Sequence, residues 1–198
     1  IRVTHADSHL DTFRGDKNFA QWSCRWNGVL PPDFYHLLYS MLRVELLRQR
    51  LFCVHSLCLS TITGKNILII GHSGVGKTSL MLSLVAGHDA KVFSGNKTVV
   101  CIDNDGSLNA TSGTKTATAL TSNLQPLIPD IGIVNYGNRS AFLLKPEYYS
   151  SEPSLKIDSI VLIQLNDNYP SFEQLSRVGA IHKLYPYFLD TVNADTVI

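Results

Sequence analysis

Residues 71–78 read Gly71-His72-Ser73-Gly74-Val75-Gly76-Lys77-Thr78 and form the most specific pattern in this chain. It matches the pattern G-x-x-x-x-G-K-[ST] at every fixed position. The apolar run 67–70 precedes it, and the residues after it predict a helix from about Lys77 to Ala86, with Gly87 at its end. Because a strand, a glycine-rich loop and a helix follow one another in this order, the sequence predicts a phosphate-binding loop.

Each residue type in this loop has a chemical role in holding phosphate. Glycines let the backbone approach the ligand closely and turn its N–H groups inward, and the helix N-terminus adds partial positive charge. We expect Lys77 to reach the β- and γ-phosphates and the Thr78 hydroxyl to ligate Mg²⁺. The expected cofactors are therefore ATP and Mg²⁺. The predicted cofactor-binding residues are Gly71, His72, Ser73, Gly74, Val75, Gly76, Lys77, Thr78 and Ser79.

The composition limits the class of protein. The chain has 198 residues, of which 44% are hydrophobic and 17% charged, and its formal net charge is +1. This composition is typical of a folded domain with a buried core and argues against a disordered chain. The small net charge argues against a broad nucleic-acid-binding surface, and the apolar runs are too short to span a bilayer. We therefore expect a cytoplasmic protein with neither a nucleic-acid nor a membrane partner.

Hydrophobic periodicity predicts helices and strands that interleave along the chain. Helices are predicted at 33–50 and 171–184, and strands at 51–60, 67–70, 98–102 and 157–165. A hairpin turn is predicted at 63–66, a second turn at 103–106, and irregular connections over 125–151. These elements indicate the α/β class, with a mixed sheet flanked by helices. Residues 1–30 form an N-terminal segment without a recognisable role, and residues 31–198 are predicted to form a single domain.

Phosphoryl transfer also needs a carboxylate that holds the metal ion. The apolar run 99–102 is followed directly by Asp103, as expected of a strand that ends at a metal-binding aspartate. Asp103 is therefore the favoured candidate for metal ligation and catalysis, and Asp167, after the apolar run 161–165, is the alternative. Asp103 also begins an Asp-Asn-Asp-Gly sequence, and such residues form turns without any catalytic role.

The sequence around the loop resembles the HPr kinase/phosphorylase family. Val54-His55 in a predicted strand, the hairpin at 63–66, the loop at 71–78 and Gly87-His88 follow one another as in that family, and the likeness covers roughly residues 51–120. The resemblance implies the P-loop fold that this family shares with phosphoenolpyruvate carboxykinase, in which strands precede the loop. It also implies ATP binding, with His55 beside the phosphates.

One departure from the family affects the expected chemistry. Where the family has a pair of aspartates that activates the attacking hydroxyl, this chain has Gly95-Asn96, and neither side chain can serve as a general base. The catalytic candidates are His55, Lys77 and Asp103.

The leading hypothesis is an HPr-kinase-like, ATP-dependent phosphotransferase acting on a small molecule or a peptide hydroxyl. The alternatives are another ATP-using activity on the same fold, such as acyl activation for ligation, and a non-catalytic nucleotide-binding regulatory module. The sequence identifies neither the substrate nor the oligomeric state. A homo-oligomer is one of the states that it allows.

Overall fold

The computed structural model describes residues 2–5, 8–13, 19–24, 42–120, 132–136, 139–165 and 172–189. The chain divides into two compact units, Ile1–Arg48 with Val192–Ile198, and Gln49–Thr191. The first unit contains helix α1 at residues 42–48 and an antiparallel sheet ordered β1-β2-β3, with β1 (Arg2–His5), β2 (Ser8–Phe13) and β3 (Phe19–Cys24).

Within the described residues, the larger unit contains the remaining strands, two α-helices and one 3-10 helix. In chain order its elements are β4 (Leu51–Val54), β5 (Ser56–Ser60), β6 (Asn66–Ile70), α2 (Lys77–His88), β7 (Lys91–Ser94), β8 (Thr98–Ile102), β9 (Leu108–Gly113), β10 (Ala117–Leu120), β11 (Gly132–Tyr136), β12 (Arg139–Leu143), a 3-10 helix (Pro146–Tyr148), β13 (Leu155–Lys156), β14 (Ser159–Leu162) and α3 (Arg177–Leu189). The strands form three sheets, ordered β14-β6-β5-β7, β13-β9-β8-β4 and β10-β12-β11.

The sheet β14-β6-β5-β7 is mixed and carries the glycine-rich loop at the end of β6. β14 pairs with β6 in parallel, whereas β5 pairs with both β6 and β7 in antiparallel. With α2 and α3 in the same unit, this arrangement confirms the expected α/β class with mixed sheets flanked by helices.

Both faces of this sheet are buried. Successive residues of a strand point to opposite faces, so neighbouring side chains of β5 and β6 enter two different hydrophobic clusters. On one face Leu57 and Ile69 pack in a cluster with Met81 of α2. On the other face Cys58 and Leu68 belong to a second cluster, which also draws on β4, β8, β9 and α3. The end of β6 is therefore held from both sides, and the loop that follows starts from a fixed point.

Several predicted elements differ from the observed ones in extent. The predicted strand 51–60 is divided at His55, because β4 pairs with β8 in one sheet while β5 pairs with β6 in another. Helix α2 continues through Gly87 to His88 and is capped by Asp89, whose φ is 50°. The region 125–151, predicted to be irregular, contains β11 and β12. Helix α3 begins at Arg177, later than expected.

The strand at 98–102 and the turns at 63–66 and 103–106 are confirmed. Over the described ranges, no helix is both long enough and apolar enough to cross a membrane.

Candidate functional site

The glycine-rich loop, residues 71–76, joins the buried end of β6 to the first turn of α2. Gly74 and Gly76 have φ values of 84° and 99°, a left-handed conformation that glycine adopts without steric cost. The carbonyl of Gly76 accepts the N–H of Leu80 at 2.9 Å, which begins the helix. The N-terminus of α2 therefore opens directly onto the loop, where it contributes partial positive charge.

Gly71 is the point where the loop lies closest to the rest of the sheet. A Cβ at this position would lie 2.7 Å from the carbonyl oxygen of Ile163 and 2.8 Å from Cγ1 of Val75. Ile163 itself donates its N–H to the Ile70 carbonyl at 2.8 Å, which extends the parallel pairing of β6 and β14. Only glycine can occupy position 71 without displacing the backbone of Ile163.

Lys77 places a cationic amine inside the loop. The residue is buried, and its Nζ donates hydrogen bonds to the carbonyls of Gly71 at 2.6 Å and His72 at 2.9 Å. Burial lowers the pKa of the Lys77 amine because the charged form loses hydration. The positive charge is thus held at the loop by two carbonyl groups rather than extended into solvent.

A cavity of about 420 Å³ opens in front of the loop. It is lined by residues from the loop, the start of α2, the bend at His55, the turn after β7, and β10: His55, Ser73, Gly74, Gly76, Lys77, Thr78, Ser79, Gly95, Asn96, Thr118 and Ala119. The structure therefore brings together most of the predicted cofactor-binding residues and the predicted catalytic residues His55 and Lys77.

The remaining predicted loop residues support the cavity from outside its wall. Val75 is buried, and its N–H donates to the His72 carbonyl at 3.4 Å. The exposed His72 turns its imidazole toward α3, where its ring centroid lies 5.0 Å from that of Tyr187. Gly71 provides the close approach to the neighbouring strand. These three residues shape the loop instead of facing the cavity.

His55 occupies the point where the chain passes from one sheet to the other. β4 ends at Val54 and β5 begins at Ser56, and these strands pair with different partners. The bend at His55 leaves the residue half-buried at the cavity wall. The bend thus brings an imidazole to the wall of the same cavity as Lys77 and Thr78.

The far wall of the cavity contains residues that no motif marks as a binding group. Thr118 accepts a hydrogen bond from the Thr78 hydroxyl at 3.0 Å through its carbonyl oxygen, so β10 fixes the first turn of α2. Asn96 is half-buried and Gly95 is buried, in the turn between β7 and β8. The sequence marks Gly95-Asn96 only through the resemblance, and Thr118 lies in a Ser/Thr/Ala-rich stretch that carries no specific pattern.

Asp103 lies away from this cavity, which corrects the expectation that it joins Thr78 at a metal ion. β8 starts beside the cavity at Thr98 and runs away from it, so five residues of strand place Asp103 about 16 Å farther along. There its carboxylate accepts a hydrogen bond from Asn109 Nδ2 at 2.8 Å, within a β-hairpin turn. The alternative, Asp167, lies outside the described residues.

Asp103 lines a second, separate depression of about 520 Å³. The other residues at this depression come from the start of the larger unit and the same hairpin: Gln49, Arg50, Cys101, Ile102, Asn104 and Asp105. None of them belongs to the glycine-rich loop. Within the described residues, the two cavities share no lining side chain.

Comparison with known proteins adds no further constraint on this site. A scan of the chain against protein-family models finds no match, and a search of curated proteins finds none either.

Proposed function

We propose that the cavity in front of the glycine-rich loop binds ATP with Mg²⁺, and that the chain is an ATP-dependent phosphotransferase of the HPr-kinase-like type. The observation that carries this proposal is the convergence of Lys77, Thr78 and His55 on one cavity at the N-terminus of α2. The acceptor would be a small molecule or a peptide hydroxyl.

The residues present fit a polyphosphate. The left-handed Gly74 and Gly76 and the close approach at Gly71 give the loop a backbone that side chains would obstruct. Lys77 would hold the β- and γ-phosphates, and the Thr78 hydroxyl would ligate Mg²⁺. When bound, the nucleotide supplies the phosphoryl group for transfer.

His55 is the residue proposed to act on the acceptor. It shares the cavity wall with Lys77, and a neutral imidazole can accept the proton of a hydroxyl group as that hydroxyl attacks phosphorus. The described lining of the cavity contains no aspartate or glutamate that could take this role. The proposal therefore assigns proton acceptance to His55.

The same lining favours a second candidate, a nucleotide-binding module without phosphotransferase activity. A cavity whose described walls offer cationic and neutral groups is suited to holding polyphosphate, whether or not transfer follows. Acyl activation is a third candidate, because a carboxylate attacks phosphorus without first losing a proton.

Product analysis separates these candidates. The protein would be incubated with ATP, Mg²⁺ and panels of hydroxyl and carboxylate compounds, and the release of ADP or AMP measured. ADP with a phosphorylated hydroxyl supports the phosphotransferase, and AMP supports acyl activation. Tight ATP binding without turnover would favour the binding module.

The role of His55 is tested in the same assay by His55→Ala, with His88→Ala at the exposed end of α2 as its control. Loss of a general base lowers kcat by about 10²–10⁴-fold. A His55→Ala rate within about twofold of the wild-type rate would remove His55 from the mechanism.

A further inference from the structure

Two turns beside the cavity share a sequence. Residues 94–98 read Ser-Gly-Asn-Lys-Thr and follow β7, and residues 112–116 read Ser-Gly-Thr-Lys-Thr at the end of β9. We call them the first and second SGxKT turns. The first contributes Gly95 and Asn96 to the cavity wall, and the second leads into β10, which contributes Thr118 and Ala119.

The two turns are joined through their backbones. Gly95 donates its N–H to the Thr114 carbonyl at 2.8 Å, and Thr114 donates its N–H to the Lys97 carbonyl at 2.9 Å. Lys97 in turn donates its N–H to the Thr114 hydroxyl at 3.0 Å. Three hydrogen bonds thus hold both sides of Asn96, although Asn96 itself takes part in none of them.

The glycine of each turn allows the other turn to approach. A Cβ on Gly95 would lie 3.2 Å from the carbonyl oxygens of Lys115 and Thr116. A Cβ on Gly113 would collide with Cβ of Ser94 and lie 2.7 Å from the Lys97 carbonyl oxygen. The repeated glycine is therefore a packing requirement, and it fixes the backbone on which Asn96 stands.

A cluster of buried hydroxyl groups stabilises the first SGxKT turn through hydrogen bonds. Ser94 and Thr98, at its two ends, share a hydrogen bond of 2.5 Å between their hydroxyls. Ser56, which follows His55, donates its hydroxyl to Thr98 Oγ1 at 2.8 Å. All three side chains are fully buried. The cluster ties the turn that carries Asn96 to the bend that carries His55.

From this arrangement we propose that Asn96 is a binding residue for the terminal phosphate of a nucleoside triphosphate, held in place by the paired SGxKT turns and by Thr98. The proposal rests on the proposed function. Asn96 shares its cavity with Lys77 and Thr78, the two residues that contact the β- and γ-phosphates and their metal in loops of this pattern. Its amide NH₂ provides donors for a phosphate oxygen, and a preformed turn lowers the entropy cost of using them.

The test compares a triphosphate with a diphosphate. Dissociation constants for AMP-PNP and ADP, each with Mg²⁺, would be measured by calorimetry for wild type and for Asn96→Ala. We expect Asn96→Ala to weaken AMP-PNP binding about tenfold or more and to leave ADP within about twofold, because a hydrogen bond to a charged group is lost only in the triphosphate complex. Asn104→Ala, in the exposed turn after β8, is the matched control and should change neither value.

The positioning role of Thr98 is tested by Thr98→Val, with Thr111→Val on the neighbouring strand β9 as its control. Thr111 is half-buried and makes a single 3.3 Å hydrogen bond to the Val99 carbonyl. Thr98→Val should give the same triphosphate-selective loss as Asn96→Ala but a smaller one, of about threefold to fivefold, because the amide is still present but less well held.

The possible outcomes distinguish a failure of the role proposed for Asn96 from a failure of the proposed nucleotide-binding function. An Asn96→Ala protein that is folded by circular dichroism and binds AMP-PNP like wild type would overturn the role of Asn96. Equal weakening of AMP-PNP and ADP would overturn it as well, since that pattern indicates a purely structural residue. A wild-type protein that binds neither nucleotide would overturn the proposed function itself.

Discussion

Gly71→Ala provides a sharp test of the close approach between the glycine-rich loop and the neighbouring strand. The added methyl would lie 2.7 Å from a backbone carbonyl oxygen, that of Ile163, and 2.8 Å from a side-chain carbon of Val75. Val75 can rotate, but Ile163 is bound to Ile70 through its N–H and cannot move without disturbing the parallel pairing. Overpacking of this kind costs about 1–3 kcal/mol. Because a backbone atom must give way, we expect about 2 kcal/mol or more.

The control is the same substitution at a glycine with free space. Gly87 lies in the last turn of α2, and a Cβ there would meet nothing within 4 Å. Alanine has the higher helix propensity, so Gly87→Ala should stabilise the protein by about 0.5–1 kcal/mol. Both free energies of unfolding would be measured by urea denaturation at equal protein concentration. If Gly71→Ala is as stable as wild type, the loop does not approach Ile163 as described.

Burial raises the pKa of the Cys58 thiol from 9.0 to about 12, with a smaller opposing effect of Lys115. The unfolded chain therefore loses its proton first, and the stabilisation is lost as pH rises above 9. The stability advantage of wild type over Cys58→Ala in urea denaturation should shrink by about 1.4 kcal/mol between pH 8 and pH 10, and a constant difference would contradict the assigned burial. Asp103→Asn should leave the affinity for Mg²⁺-ATP within about twofold in calorimetry, because β8 carries Asp103 away from the cavity. A large loss would show that the hairpin reaches the loop.

The sequence predicts those features of this fold that depend on neighbouring residues. The apolar run before Gly71, the glycine spacing and the helix that begins at Lys77 are all local, and the structure contains each of them. The turn at Gly64 is also local, and its φ of 76° explains the glycine. The helix end at Gly87 was misplaced because Asp89 adopts the left-handed conformation instead.

Features that depend on strand pairing could not be predicted in this way. Nothing within residues 51–60 shows that the chain changes sheets at His55, because the change is set by the partners β8 and β6. Asp103 follows an apolar strand as a metal ligand would, yet the direction of β8 carries it away from the loop. Asn96 and Thr118 reach the cavity through pairings with distant segments. The two S-G-x-K-T segments are too short to indicate a repeat by themselves, and only the contact between them in the structure gives them a role.

Lys77→Ala tests whether the cavity at the glycine-rich loop binds nucleotide, with Lys65→Ala in the exposed β5–β6 hairpin as the matched control. ATP affinity in the presence of Mg²⁺ would be measured by calorimetry for both variants and wild type, after circular dichroism shows that each is folded. If Lys77 holds phosphate as proposed, removal of this buried cation should weaken binding by about a hundredfold, while Lys65→Ala should bind like wild type. A folded Lys77→Ala protein with wild-type affinity for ATP would contradict the assignment of this cavity as a nucleotide site.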